Sequence, residues 1–204
     1  INHGIVLVNA GTITVNSGST INVPFGGTIT NNPSGTINNR GTIYVSPSGT
    51  INNEGSININ SGGTFTNAST LKNGGTITNN PSGTIYTGGP VDNNSGGTIT
   101  NYSTLKNDRV ITNHPGGTIT NIAIFNNLNS VINQCGATYS GNAPLINPVT
   151  NILCIVDTDK DGYKWYRSLD YGLMNGCGVD GEECEYGIVG QTLYLNRLKK
   201  MKGN

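Results

Sequence analysis

A tripeptide, Gly-Thr-Ile, returns about every six or eight residues through the first two-thirds of the chain, and so short a period leaves few folds open. It stands intact at Gly11-Thr12-Ile13, Gly27-Thr28-Ile29, Gly35-Thr36-Ile37, Gly75-Thr76-Ile77, Gly97-Thr98-Ile99 and Gly117-Thr118-Ile119, among others. Conservative versions such as Gly63-Thr64-Phe65 and Ser69-Thr70-Leu71 fill the gaps. A single unit this small buries no apolar face of its own, so neighbouring units must stack on one another.

Each unit reads as strand and corner. In Gly75-Thr76-Ile77-Thr78-Asn79-Asn80-Pro81-Ser82, Ile77 points to one side of an extended segment and the two threonines to the other. Asn, Pro, Ser and Gly then supply turn chemistry. One inward residue per side, from Ile13 to Phe125 and Ile132, describes an all-β parallel β-solenoid. Three units per coil give a triangular section with room for Phe65 and Phe125, and this is the favoured reading. A flattened two-sided coil also fits the spacing. Asn recurs at the corners (Asn31, Asn38, Asn52, Asn79, Asn93, Asn113), where it serves either as a stacked amide ladder or for its turn conformation.

Composition narrows the function. Of 204 residues only 11% are charged, the formal net charge is zero, and 30 are glycine. A neutral chain lacks the field that draws nucleic acid, so no nucleic-acid partner is expected. No apolar run is long enough to span a bilayer. The chain opens on Ile1 rather than Met, which reads as a processed or truncated start. Acids are sparse in the repeats, and His3 and His114 lie far apart, so no nucleophile, base and orienting group come together and no catalytic residue is assigned.

The Gly-Thr-Ile repeat with Asn-rich corners resembles the parallel β-helical repeats of secreted surface proteins, the filamentous haemagglutinins and autotransporter passenger domains. That resemblance implies an extracellular or cell-surface rod.

Four segments follow. Residues 1–10 contain Ile5-Val6-Leu7-Val8, which reads as a buried strand that caps the first coil or pairs with a neighbouring molecule. Residues 11–139 are the solenoid. Residues 140–150, with Pro144 and Pro148, read as a linker. Residues 151–204 form a small terminal module where Trp165, most of the acids and three of the four cysteines lie.

In that module Asp157-Thr158-Asp159-Lys160-Asp161-Gly162-Tyr163 spaces carboxylates at alternate positions around a tight turn, a pattern suited to a hard cation. It resembles the calcium loops of EF-hands, dockerins and thrombospondin type 3 repeats. The resemblance implies calcium held by Asp157, Asp159, Asp161 and the Tyr163 carbonyl, although Ser168 stands where an EF-hand has its bidentate Glu. Cys135, Cys154, Cys177 and Cys184 are even in number and fit disulfides and an oxidising compartment. Cys177 with Cys184 would close a short loop, and Cys135 with Cys154 would bridge the linker. Asn67, Asn93 and Asn101 head acceptor sequons for N-glycosylation.

Three roles are weighed on these residues. The first is a structural subunit of an extracellular filament, a homopolymer joined head to tail through unlike solenoid ends. The second is a surface adhesin stalk, with surface glycans as partners. The third is an ice- or carbohydrate-binding face built on Thr76/Thr78, Thr98/Thr100 and Thr118/Thr120, in the manner of insect antifreeze ladders; Asn38 and Asn58 interrupt it.

Overall fold

The computed structural model describes residues 4–152 and, beyond them, the backbone of strands Cys154–Val156, Trp165–Arg167, Glu183–Val189 and Thr192–Leu198. Contacts divide the chain into two compact units, residues 1–152 and 153–204.

The first unit is a three-sided parallel β-solenoid, which settles the choice between two sides and three. One sheet stacks Val6–Asn9, Thr28–Asn31, Thr50–Asn53, Thr70–Asn73, Val91–Asn93, Ile111–Asn113, Val131–Asn133 and Val149–Asn151. The second stacks Thr12–Val15, Thr36–Asn39, Ser56–Ile59, Thr76–Asn79, Thr98–Asn101, Thr118–Asn121 and Thr138–Gly141. The third stacks Thr20–Val23, Thr42–Val45, Thr64–Asn67, Thr84–Thr87, Thr104–Asn107, Ile124–Asn127 and Leu145–Ile146. All pairing within these sheets is parallel and in register, as in Ile77↔Ile99↔Ile119.

Two side chains per strand, not one, face the interior. The isoleucine of Gly-Thr-Ile is buried, and so is the residue two places on, because side chains alternate along a strand. Ile77 and Asn79 are both 2% exposed or less, while Thr76 and Thr78 lie half-buried on the outer face. The apolar stack of the third sheet runs Ile21, Ile43, Phe65, Ile85, Leu105, Phe125. Its two phenylalanines bracket two smaller residues, and an apolar cavity of ≈ 20 Å³ lies among Phe65, Ile85, Leu105 and Phe125. Replacing Leu105 by Phe is therefore expected to stabilise the rod by about 0.5 kcal/mol, at roughly 24 cal/mol per Å³ of void filled. A thermal midpoint below that of the parent chain would show the site already full.

The corners explain the prolines and one kind of glycine. Asn80-Pro81-Ser82-Gly83 is a turn closed by Gly83 N–H donating to Asn80 O at 2.9 Å. Pro81 fixes φ at the second position, and Ser82 takes a φ of 63° at the third, as a type II turn demands. At other corners that third place is Gly, with φ of 79° at Gly96 and 81° at Gly116. The Gly of Gly-Thr-Ile has a different task. A Cβ at Gly83 would lie 2.4 Å from Asn79 Oδ1 and 2.9 Å from Ile59 O, so this glycine is required by close approach to the coil before it.

Three expectations are corrected by this geometry. Val131, not Ile132, faces the core, since Val131 pairs with Ile111 and is fully buried. The coil continues past residue 139: Leu145–Ile146 pairs with the third sheet and Val149–Asn151 with the first, through the stretch read as a linker. At the other end Val6–Asn9 is an ordinary strand of the first coil, paired with Thr28–Asn31. Only Leu7 of Ile5-Val6-Leu7-Val8 packs against the core; Ile5, Val6 and Val8 are exposed.

In the second unit Cys154–Val156 pairs antiparallel with Trp165–Arg167, and Glu183–Val189 pairs antiparallel with Thr192–Leu198.

Candidate functional surfaces

The inner Asn of the first sheet forms an unbroken ladder. Asn9, Asn31, Asn53, Asn73, Asn93, Asn113 and Asn133 each donate Nδ2–H to the Oδ1 of the Asn one coil on, ending at Asn151, over distances of 2.7 to 3.0 Å. The second N–H of each amide is also placed: that of Asn93 donates to Thr118 O at 3.1 Å and that of Asn113 to Thr138 O at 2.9 Å. Each amide thus also satisfies a main-chain carbonyl. All seven bonds point the same way, which lets the amides polarise one another along the rod.

The other two sheets change character along their length. In the second sheet the inner position runs Val15, Asn39, Ile59, Asn79, Asn101, Asn121. Its amide ladder, Asn79 to Asn101 to Asn121, starts at 2.8 Å spacing directly above Ile59. Ile59 has no donor to offer, and Asn79 Oδ1 is accordingly one of two buried side-chain oxygens without a partner among the described residues. The third sheet runs Val23, Val45, Asn67, Thr87, Asn107, Asn127, with Thr87 Oγ1–H donating to Asn107 Oδ1 at 2.9 Å and Asn107 to Asn127 at 2.8 Å.

The three outer faces differ. On the second sheet Thr76, Thr98 and Thr118 stand in one file and Thr78, Thr100 and Thr120 in the next, continued by Thr138 and Ser140. Toward the other end Asn38 and Asn58 take the second file and bond each other at 3.1 Å. No charged or aromatic side chain interrupts this face among the paired strand residues.

Charge collects elsewhere. At the first-sheet corner, His114 lies between Asp92 Oδ1, 3.2 Å from Nε2, and Gln134 Oε1, 3.1 Å from Nδ1. On the third sheet the Tyr86 hydroxyl donates to Asp108 Oδ2 at 2.5 Å, and Lys106 Nζ sits 4.9 Å from the Tyr86 ring centre. The bond to Asp108 holds the Tyr86 phenol above its ordinary pKa, with desolvation and the carboxylate's charge adding to it. Neither cluster places a nucleophile against a base. Among the described residues no three His, Cys, Asp or Glu side chains converge on a point that could hold a metal.

Asn67, Asn93 and Asn101 are buried, with their Nδ2 atoms donating inside the coil. A glycan on those nitrogens has no place in this fold; Asn93 and Asn101 belong to the amide stacks, and Asn67 bonds the Ser69 main chain. Cys135 sits in the turn after Val131–Asn133; the side chains of Cys154, Cys177 and Cys184 lie outside the described residues, and so do Asp157, Asp159, Asp161 and Tyr163. The amide ladder expected as one role for Asn31, Asn79, Asn93 and Asn113 is present, but the sequence reading placed these residues at corners with Asn38 and Asn52 and did not see the inward strand position that they share. Its signal is an Asn two residues after each apolar position, repeating at 22, 22, 20, 20, 20, 20 and 18 residues on the first sheet.

No helix among the described residues is long and apolar enough to cross a membrane. The haemagglutinin-repeat family matches residues 1–82 and 68–124 of the chain. No curated protein matches it. A solved structure, the TibC-catalysed hyper-glycosylated TibA fragment, aligns at 22% identity over 69% of this chain and 65% of that one, with a TM-score of 0.26, too low to argue from. The chain thus spans less than two-thirds of that fragment.

Proposed function

This chain belongs to the haemagglutinin-repeat family, and on that premise we propose that its solenoid is the stiff stalk of an extracellular or cell-surface structural protein that serves adhesion. The unbroken Asn ladder from Asn9 to Asn151 carries this reading. It gives the rod continuous axial bonding while the outer face of the second sheet stays neutral and polar, a construction suited to holding a surface away from its anchor. Antibody labelling of intact cells that make the protein tests it. Labelling without permeabilisation supports surface display, and labelling only after permeabilisation contradicts it.

Head-to-tail assembly into a filament is the second reading, favoured by one observation. Among the described residues, Val6–Asn9, Thr12–Val15 and Thr20–Val23 are each the end strand of their sheet, and exposed Ile5, Val6 and Val8 lie beside the first of these edges. Open parallel edges accept further strands. Lysine at both Val6 and Val8 is expected to abolish sedimenting polymer while leaving folded monomer. Polymer that persists would remove those residues from the assembly. Surface glycans are the ligand class that suits an adhesin, and the neutral second-sheet face would take neutral rather than anionic ones.

For the terminal module the proposal is calcium on Asp157, Asp159, Asp161 and the Tyr163 carbonyl, supported by their alternate spacing. Calcium at about a hundred times its Kd should stabilise the module by about 2.7 kcal/mol. Asparagine at all three Asp positions should cancel the rise in melting temperature. An unchanged melting temperature with the parent chain at millimolar calcium would dispose of the site.

A further inference from the structure

Asn73 is followed by Gly74, the sole Asn-Gly pair among the described residues. In a free chain this pair is prone to ring closure, because glycine puts no Cβ in the way of its own backbone nitrogen. Gly74 N attacks Asn73 Cγ and forms a C–N bond. The Cγ–Nδ2 bond breaks, and Nδ2 departs as ammonia, taking the proton that Gly74 N gives up. Water then opens the five-membered imide to aspartate or isoaspartate.

The folded coil blocks every part of that step. Gly74 N–H is donated to Asn53 O at 2.8 Å. Asn73 is fully buried, its Oδ1 accepts from Asn53 Nδ2 at 2.7 Å, and its Nδ2 donates to Asn93 Oδ1 at 2.8 Å, with Gly75 O at 3.1 Å and Thr98 O at 3.2 Å. To bring Cγ onto Gly74 N, the side chain must leave the ladder and the backbone must release its neighbour.

We propose that Asn73-Gly74 is a latent modification site, closed by the ladder and open only when the ladder opens, whose product cannot return to the fold. A carboxylate at residue 73 has no N–H to donate, yet it would face three acceptors: Asn93 Oδ1, Gly75 O and Thr98 O. Asn53 Nδ2–H would still donate to one oxygen, but a buried charge with a single neutral donor and three acceptors around it is strongly unfavourable. Isoaspartate also adds a methylene to the main chain at a strand end, where register is fixed by the stacked coils above and below. Each passing opening of this coil therefore carries a chance of permanent loss.

The full chain, aged in mildly alkaline buffer with and without urea and then peptide-mapped, tests this. The mapping separates residue 73 from the other Asn-Gly pair, Asn175-Gly176. Conversion at Asn73 is expected to be on the order of a thousandfold slower in the folded chain, because it must pass through a small unfolded fraction. The refoldable fraction of urea-aged chains should fall in step with conversion at residue 73. Gly74→Ala is the control: the three atoms nearest its Cβ all belong to the carboxylate of exposed Glu54, 2.4 Å to Oε2, the far end of a flexible side chain. Aged in the same way, it should convert far more slowly and still refold. Equal conversion rates in folded and urea-unfolded chains overturn the proposal. So does an Asn73→Asp chain that folds with an unchanged thermal midpoint, or a Gly74→Ala chain that loses refolding as fast as the parent.

Discussion

Leucine in place of Asn93 should destabilise the solenoid by about 2 to 6 kcal/mol, although Leu is close to Asn in size. Asn93 accepts from Asn73 and donates to Asn113, so its loss leaves groups on both neighbours buried and unpaired. Each such group costs about 1 to 3 kcal/mol. Thr118 O and Gly97 O each lose the bond from Asn93 as well, although Gly97 O keeps that from Thr118 N–H. The same replacement at Asn58, whose amide bonds Asn38 on the outer face, should change stability by less than about 0.5 kcal/mol. Urea unfolding of the two variants checks the contrast, and similar midpoints would mean that the inner amides hold nothing that the outer ones do not.

Alanine at Phe125 is expected to cost about 3 to 5 kcal/mol, the range for removing a buried aromatic ring. The upper part of that range applies, because the ring already borders the ≈ 20 Å³ void and its loss would enlarge a cavity that stacked strands cannot collapse to fill. Against a typical domain stability of about 5 to 15 kcal/mol, either substitution removes a large share. A loss below about 1 kcal/mol at Phe125 would mean that the coil closes around the missing ring.

Much of this was legible in the repeat. The isoleucine of each Gly-Thr-Ile faces inward as the alternation of strand side chains requires, and Phe65 and Phe125 stack in one sheet of a triangular coil. The hidden part was the second inward position. An Asn after Thr-Ile-Thr reads as corner chemistry, because asparagine is usually found in turns, and only a stacked array gives it partners for both N–H groups and its oxygen. Asn38 and Asn52, grouped with the corner amides by sequence, lie on strands facing outward, whereas Asn31, Asn79, Asn93 and Asn113 lie within.

Ile132 went astray for a related reason. Val131 and Ile132 are adjacent and both apolar, so hydrophobicity does not say which one turns in. The register is set instead by Asn133, which accepts from Asn113 at 2.7 Å and so brings Val131 to the core side. The last coil was obscured by Pro144 and Pro148, which flank strands of two and three residues too short to show a period. Thr70-Leu71-Lys72-Asn73 recurs as Thr104-Leu105-Lys106-Asn107 on a different sheet, so this longer echo does not mark the number of sides.

The rod's central feature is the buried amide ladder, and hydrogen exchange of asparagine side chains, followed by NMR on the full chain, reads it directly. The Nδ2 protons of Asn31, Asn53, Asn73, Asn93 and Asn113 should exchange with solvent as slowly as the backbone amides of the strands beside them, while those of Asn38, Asn52 and Asn58 exchange fast. Rapid exchange at all eight would contradict the ladder and, with it, the solenoid that is built around it.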